Sequence, residues 1–204
     1  MWTDGFATGE GQRADAPMGH AGHRLHEWMI ATRFGASIVG AAGGSEGTDY
    51  AVASQHEPGI GAEIMGAGKF GPPGWHDDAD WKGWWGPNPP FHTPTFVLTH
   101  RPRPPIAMAG GTTFHFLDAS PAEALDIARE AAGGRDVRIG GGPTVARDFI
   151  AAGLVDHVHL VQVPIVLGRG VRPWDGLEAL ASDYDIEAVS TPSRVTHLTL
   201  TRSG

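Results

Sequence analysis

The 204-residue chain contains no cysteine. Disulfides, thiolate nucleophiles and cysteine-ligated zinc are thereby excluded, and a reducing, cytoplasmic compartment is expected. Basic residues are in deficit: the formal net charge is −8. A nucleic-acid backbone or an anionic membrane is therefore not an expected partner. No apolar run approaches the length of a membrane span. The opening "MWTDGFATGEGQ" lacks the basic start and apolar core of a signal peptide. What remains is 41% hydrophobic and 19% charged, the composition of one globular domain over 1–204.

Glycine and proline, by contrast, are abundant, at 30 and 16 residues. Between Gly71 and Pro94 they saturate the text and predict an ordered irregular loop. Trp75, Trp81, Trp84 and Trp85 lie in it and read mainly as anchors of that loop. In the first 95 residues, "LHEWMIATRF" (25–34) predicts a helix with Leu25, Trp28, Met29 and Thr32 on one face, and "GAEIMG" (61–66) a short buried strand.

The second half is clearer. Strands are expected at 95–100, 112–118, 136–140, 156–168 and 194–202. Ser120, Pro121 and Glu123 make a capping box for a helix ending at Gly133-Gly134. Pro143 opens a second helix, closed by Gly153. Strand, helix, strand, helix, strand from 112 to 168 predicts parallel βαβ units, whose ligands bind at the strands' carboxyl ends.

Three features at such ends suit anions. Gly140, Gly141 and Gly142 precede a helix N-terminus, where unbonded amides and a positive dipole end welcome a phosphate. "GAGKFG" (66–71) fits G-x-G-x-x-G through Gly66, Gly68 and Gly71, but Pro72 and Pro73 forbid the long helix of a dinucleotide fingerprint. A short helical turn with Lys69 nearby is expected instead. After "TFVLTH", Arg101 and Arg103 offer guanidinium forks to a further phosphate.

"DVRIGGGPTVARDFIAAGLVDHVHLVQVPIVLGRG" (136–170) resembles the dihydrofolate reductase-like family that includes the reductase domain of bacterial riboflavin biosynthesis. "TDGFATG" (3–9), "EIMGAGKFG" (63–71) and "FVLTHRP" (96–102) resemble further segments of that family, in family order. The resemblance implies an α/β fold with a mixed, mostly parallel sheet flanked by helices. It implies an NADPH-dependent reductase acting on a small pterin-like, pyrimidine-like or carbonyl substrate. Cofactor contacts are implied at Gly5 and Phe6, at Gly66, Gly68, Lys69 and Phe70, at Thr99, Arg101 and Arg103, and at Gly140, Gly141, Gly142, Pro143 and Thr144. Asp4 and Glu27 are the candidate catalytic acids, with a turn role for Asp4 and a solvated helix face for Glu27 as alternatives. One departure stands out. Family members carry an apolar first strand before the Asp-Gly loop, whereas only Met1, Trp2 and Thr3 precede Asp4. The expected first strand is missing, unless the start lies elsewhere or another segment or subunit fills its place.

Two other classes stay open. His20, His23 and His26 recur every three residues, and His157 and His159 share one strand face, which suits a metal-dependent hydrolase weakly. A nucleotide-binding protein without chemistry is the other. An exposed sheet edge predicts a homodimer.

Overall fold

The computed structural model describes residues 3–54 and 59–204. Met1 and Trp2, part of the short segment before Asp4, lie outside the described residues. Described in chain order, the chain forms α1 (Glu27–Ile30), α2 (Arg33–Ile38), α3 (Thr48–Ser54), β1 (Ile60–Gly66), α4 (Ala67–Phe70), β2 (Pro94–Leu98), β3 (Ile106–Ala107), β4 (Thr113–Leu117) and α5 (Pro121–Ala132). β5 (Asp136–Ile139), α6 (Pro143–Ala151), β6 (His157–Gln162), β7 (Tyr184–Ser190) and β8 (Thr196–Arg202) complete it. Among the described residues no strand precedes Ile60, and no helix is long and apolar enough to cross a membrane. The described residues group into two compact units.

One unit spans 12–17 and 59–154. Its five-stranded sheet has the order β3-β4-β2-β1-β5, parallel except for β3. α5 covers one face through Ala124, Leu125, Ala128 and Ala132. Its capping box is realised: Ser120 accepts from the Glu123 amide, and Glu123 accepts from the Ser120 amide. Gly61 lets the helix end approach β1, because a Cβ there would stand 2.5 Å from the Ala132 carbonyl oxygen. The other face carries Met65, Phe70, Trp75, Val97, Phe114 and Phe116, with Trp81, Trp85 and Phe91 packed against them. The glycine- and proline-rich loop is thus fastened by its rings, as its composition predicts. Each large buried side chain of this kind contributes roughly 1.5–3 kcal/mol.

The other unit spans 3–11, 18–54 and 155–204. Its sheet is antiparallel, in the order β6-β8-β7. A cluster of Leu25, Val163, Leu167 and Val195 takes in Phe6, Trp28, Val161 and Ile165.

Three expectations need correction. The 25–34 helix is broken: Thr32 accepts from the Gly35 amide and starts a second helix, and a Cβ on Gly35 would lie 2.0 Å from the Met29 carbonyl oxygen. The 156–168 strand stops at Gln162, because Pro164 offers no N–H to a ladder. β6 bonds β8 in antiparallel fashion, and no parallel partner for it occurs among the described residues.

Candidate active site

At the carboxyl end of β1 the chain buries a charged network. Glu63 is 1% exposed. Its Oε2 accepts from Arg138 Nε at 3.0 Å and Nη2 at 2.5 Å, and its Oε1 accepts from Lys69 Nζ at 3.0 Å. Lys69 also donates to the Gly140 carbonyl. The network requires Gly140 to be glycine, since a Cβ would sit 1.9 Å from Glu63 Oε1. Gly66 is required for a different reason: its Cβ would meet Val145 on α6 at 2.8 Å.

Gly141 and Gly142 differ from these. A Cβ on either would meet nothing within 4 Å. Gly142 is the N-cap of α6 and Pro143 its first residue. The Ala146 amide bonds the Gly142 carbonyl, so the amides of Thr144 and Val145 face out of the helix start. Open space, free amides and a helix dipole coincide there.

A cavity of about 400 Å³ adjoins this start. The ends of β2 and β4 line it with Leu98, Thr99, His100, Arg101, Leu117 and Asp118, and Ala67, Val145, Asp148 and Phe149 close it. His76 also lines it, stacked on Trp75 with ring centres 3.7 Å apart and bonded to Thr99 Oγ1 at 2.7 Å. Burial, aided by the nearby Arg101 and Arg103 cations, lowers the His76 pKa and keeps the ring neutral. Arg101 reaches Asp77 at 2.5 Å, and its guanidinium holds that carboxyl below the usual range. His100 meets Asp118 at 2.9 Å.

Not every expected contact gathers here. Arg103 lies over the rings of Phe70, Trp75 and Phe116 and donates to the carbonyls of Asp78 and Trp81. Its role is to pin the aromatic loop, and burial lowers its pKa. Phe70 is fully buried among those rings and has no surface for a ligand. Lys69 is engaged by Glu63 rather than free, and Gly68 carries its carbonyl to the Gln12 amide. His76 escaped the sequence reading; only its place in the tryptophan-rich loop hinted at it.

In the other unit, Asp4 Oδ2 accepts from the amides of Leu167 and Gly168 at 2.9 and 2.7 Å. This staple serves the 163–168 turn. Gly5, at φ +86°, makes the turn that follows, and Arg172 lies over the Phe6 ring. Glu27 is solvated, its side chain 65% exposed, with His23 Nε2 at 4.0 Å. No cluster of three His, Asp or Glu arranged for a metal occurs among the described residues.

The comparisons with known proteins agree with this architecture. No curated protein matches the chain. A protein of Shewanella sp. PV-4 provisionally assigned to riboflavin biosynthesis superposes with a TM-score of 0.56 at 17% identity, over 100% of this chain and 96% of that one. The diaminohydroxyphosphoribosylaminopyrimidine deaminase/5-amino-6-(5-phosphoribosylamino)uracil reductase of Thermotoga maritima gives 0.53 at 12% identity, over 99% of this chain but 54% of that one. At such identities these likenesses establish the fold. Residues 4–202 match the RibD C-terminal domain family, so the chain belongs to that family and is an oxidoreductase of the kind its 136–170 segment resembles.

Proposed function

We propose that the chain is an NADPH-dependent reductase of the riboflavin pathway acting on a pyrimidine- or pterin-like substrate. The observation that carries this reading is the empty volume above Gly141 and Gly142, at a helix start that adjoins a cavity of nucleoside size. The residues fit the cofactor. The amides of Thr144 and Val145 would hold its pyrophosphate, the cavity its adenosine, and Arg101 with His100 its 2′-phosphate. When bound, the nicotinamide supplies the hydride. 5-Amino-6-(5-phosphoribosylamino)uracil, on which the Thermotoga relative is named to act, is the first substrate to test. Turnover of NADPH with it supports the proposal, and NADPH binding without turnover on any pyrimidine, pterin or carbonyl compound would leave a nucleotide-binding protein.

Arg101→Ala should lower the preference for NADPH over NADH about tenfold, the size of one charge-assisted hydrogen bond near 1.4 kcal/mol. Exposure and salt limit the effect. Equal loss of both cofactors would place the 2′-phosphate elsewhere. Arg103 is left intact in this test because it holds the loop.

The reading includes a homodimer. Ile186 and Val189 on the outer strand β7 are 55% and 42% exposed, and that strand has a free edge within its sheet. Sedimentation at micromolar concentration should give twice the 21.5 kDa chain mass; a single-chain mass would refute it.

A further inference from the structure

His76 and Arg101 meet on one atom. Thr99 Oγ1 lies 2.7 Å from His76 Nε2 and accepts from the Arg101 amide at 3.1 Å. Thr99 is 8% exposed, so its hydroxyl has little water to turn to. Asp77, the residue after His76, holds the Arg101 guanidinium. The short turn Trp75–Asp77 thus grips the end of β2 at two points. His76, Thr99 and Arg101 all line the cavity, and buried Trp75 fixes the plane of the imidazole by stacking on it.

The proton on the ring decides what Thr99 can do. A hydroxyl has one hydrogen and two lone pairs. One lone pair serves the Arg101 amide. While Nε2 is bare, the hydroxyl hydrogen is spent on the ring. A charged ring carries hydrogen on both nitrogens, so Nε2 then donates and occupies the second lone pair. The hydroxyl hydrogen needs a new acceptor, and an oxyanion in the cavity supplies one. Charging His76 therefore adds a cation and releases a donor at the same wall.

The neighbouring charges set the balance. Burial and the Arg101 and Arg103 cations press the ring toward its neutral form, against Asp77 on its own turn. His100 and Asp118, paired with each other, and Asp148 of α6 are the other ionisable groups lining the cavity. An arriving phosphate dianion reverses the sign at the ring, because Arg101 and His76 then face one anion instead of each other.

We propose that His76 and Thr99 are specificity-determining residues for the cofactor's 2′-phosphate, which binds together with a proton taken up from solvent by His76. The proposal rests on the reductase reading. An opposite charge beside the ring favours its charged form tenfold or more, by roughly the amount known for close ion pairs. The ring's pKa is thus higher in the complex than in the free chain. The gain in affinity is fully present below the pKa of the free ring and fades as pH rises through that of the complex. NADH, which lacks the 2′-phosphate, has no such gain.

Titrations of the full chain with NADPH and NADH test this. The ratio of their affinities should rise about fivefold from pH 8 to pH 6.5, and calorimetry in two buffers of different ionisation enthalpy should show NADPH taking up on the order of half a proton at pH 7. His76→Gln keeps a side chain that can bond Thr99 but cannot charge. In it the rise should vanish, leaving only the opposite trend of the phosphate, whose own second pKa is about 6. His100→Gln should keep the rise. In ¹⁵N-histidine NMR, the His76 titration should move to higher pH on saturation with adenosine 2′-monophosphate and stay in place with adenosine. A ratio independent of pH, a rise that survives His76→Gln or is lost in His100→Gln, or an unmoved His76 titration overturns the proposal. If His76→Gln does not fold, the NMR comparison on the wild type decides. A chain that binds no NADPH defeats the reductase reading. The His76 signal with adenosine 2′-monophosphate then reports separately on the anion pair, and an unmoved signal defeats that as well.

Discussion

Glu63→Ala is expected to lower the melting temperature by roughly 5–10 °C, which corresponds to about 2–3 kcal/mol in a chain of this length. The carboxylate is 1% exposed and binds Lys69 and Arg138 together. Removing it leaves two cations side by side over the β1 end. Deleting one partner of a fully buried pair costs about 3–5 kcal/mol. The side chains of Lys69 and Arg138 are 28% and 29% exposed, so water recovers part of that loss. Glu63→Gln should fall between wild type and alanine, because it keeps an acceptor but no charge. Thermal unfolding followed by circular dichroism checks this. A melting point unchanged by Glu63→Ala would show that the network contributes nothing net.

Gly142→Val is expected to weaken NADPH binding about 100-fold, or near 3 kcal/mol, the loss of two charge-assisted hydrogen bonds. Its backbone, at φ −69° and ψ −177°, is extended and open to any residue. No atom stands within 4 Å of the new Cβ. The fold should lose about 1 kcal/mol or less, the penalty for an apolar N-cap. This position separates binding from folding better than Gly141, whose φ of +93° would strain any side chain. Fluorescence titration reads the affinity; a folded valine variant that binds NADPH normally removes the phosphate from this helix start.

Much of the fold around the glycine turn was legible because its signals are local. Ser120 and Glu123 lie three residues apart, Pro143 follows three glycines, and strands and helices alternate from 113 to 151. The roles of individual residues were less legible. Arg101 and Arg103 look equivalent in "THRPRPP", yet one faces the cavity and the other is trapped over three rings. Only the packing of Phe70, Trp75 and Phe116 distinguishes them. Lys69 reads as a free cation until Arg138, from a distant strand, places Glu63 between two positive charges. β7 was missed because its sequence "YDIEAVS" exposes both faces, so its alternation does not separate polar from apolar. Asp49 and His197 stand 148 residues apart, and no periodicity announces such a pair. The strand alternation did show that His157 and His159 share a face, but not what His159 touches.

The Trp75–His76 stack gives the protein an optical reporter of its own. Trp75 is 3% exposed and shielded from solvent quenchers, while the imidazole lying on its ring borders the cavity. Any occupant that turns the His76 ring or draws it from Thr99 changes the electronic contact with the indole. The emission of one buried residue thus carries a record of events in a chamber that the indole itself does not line.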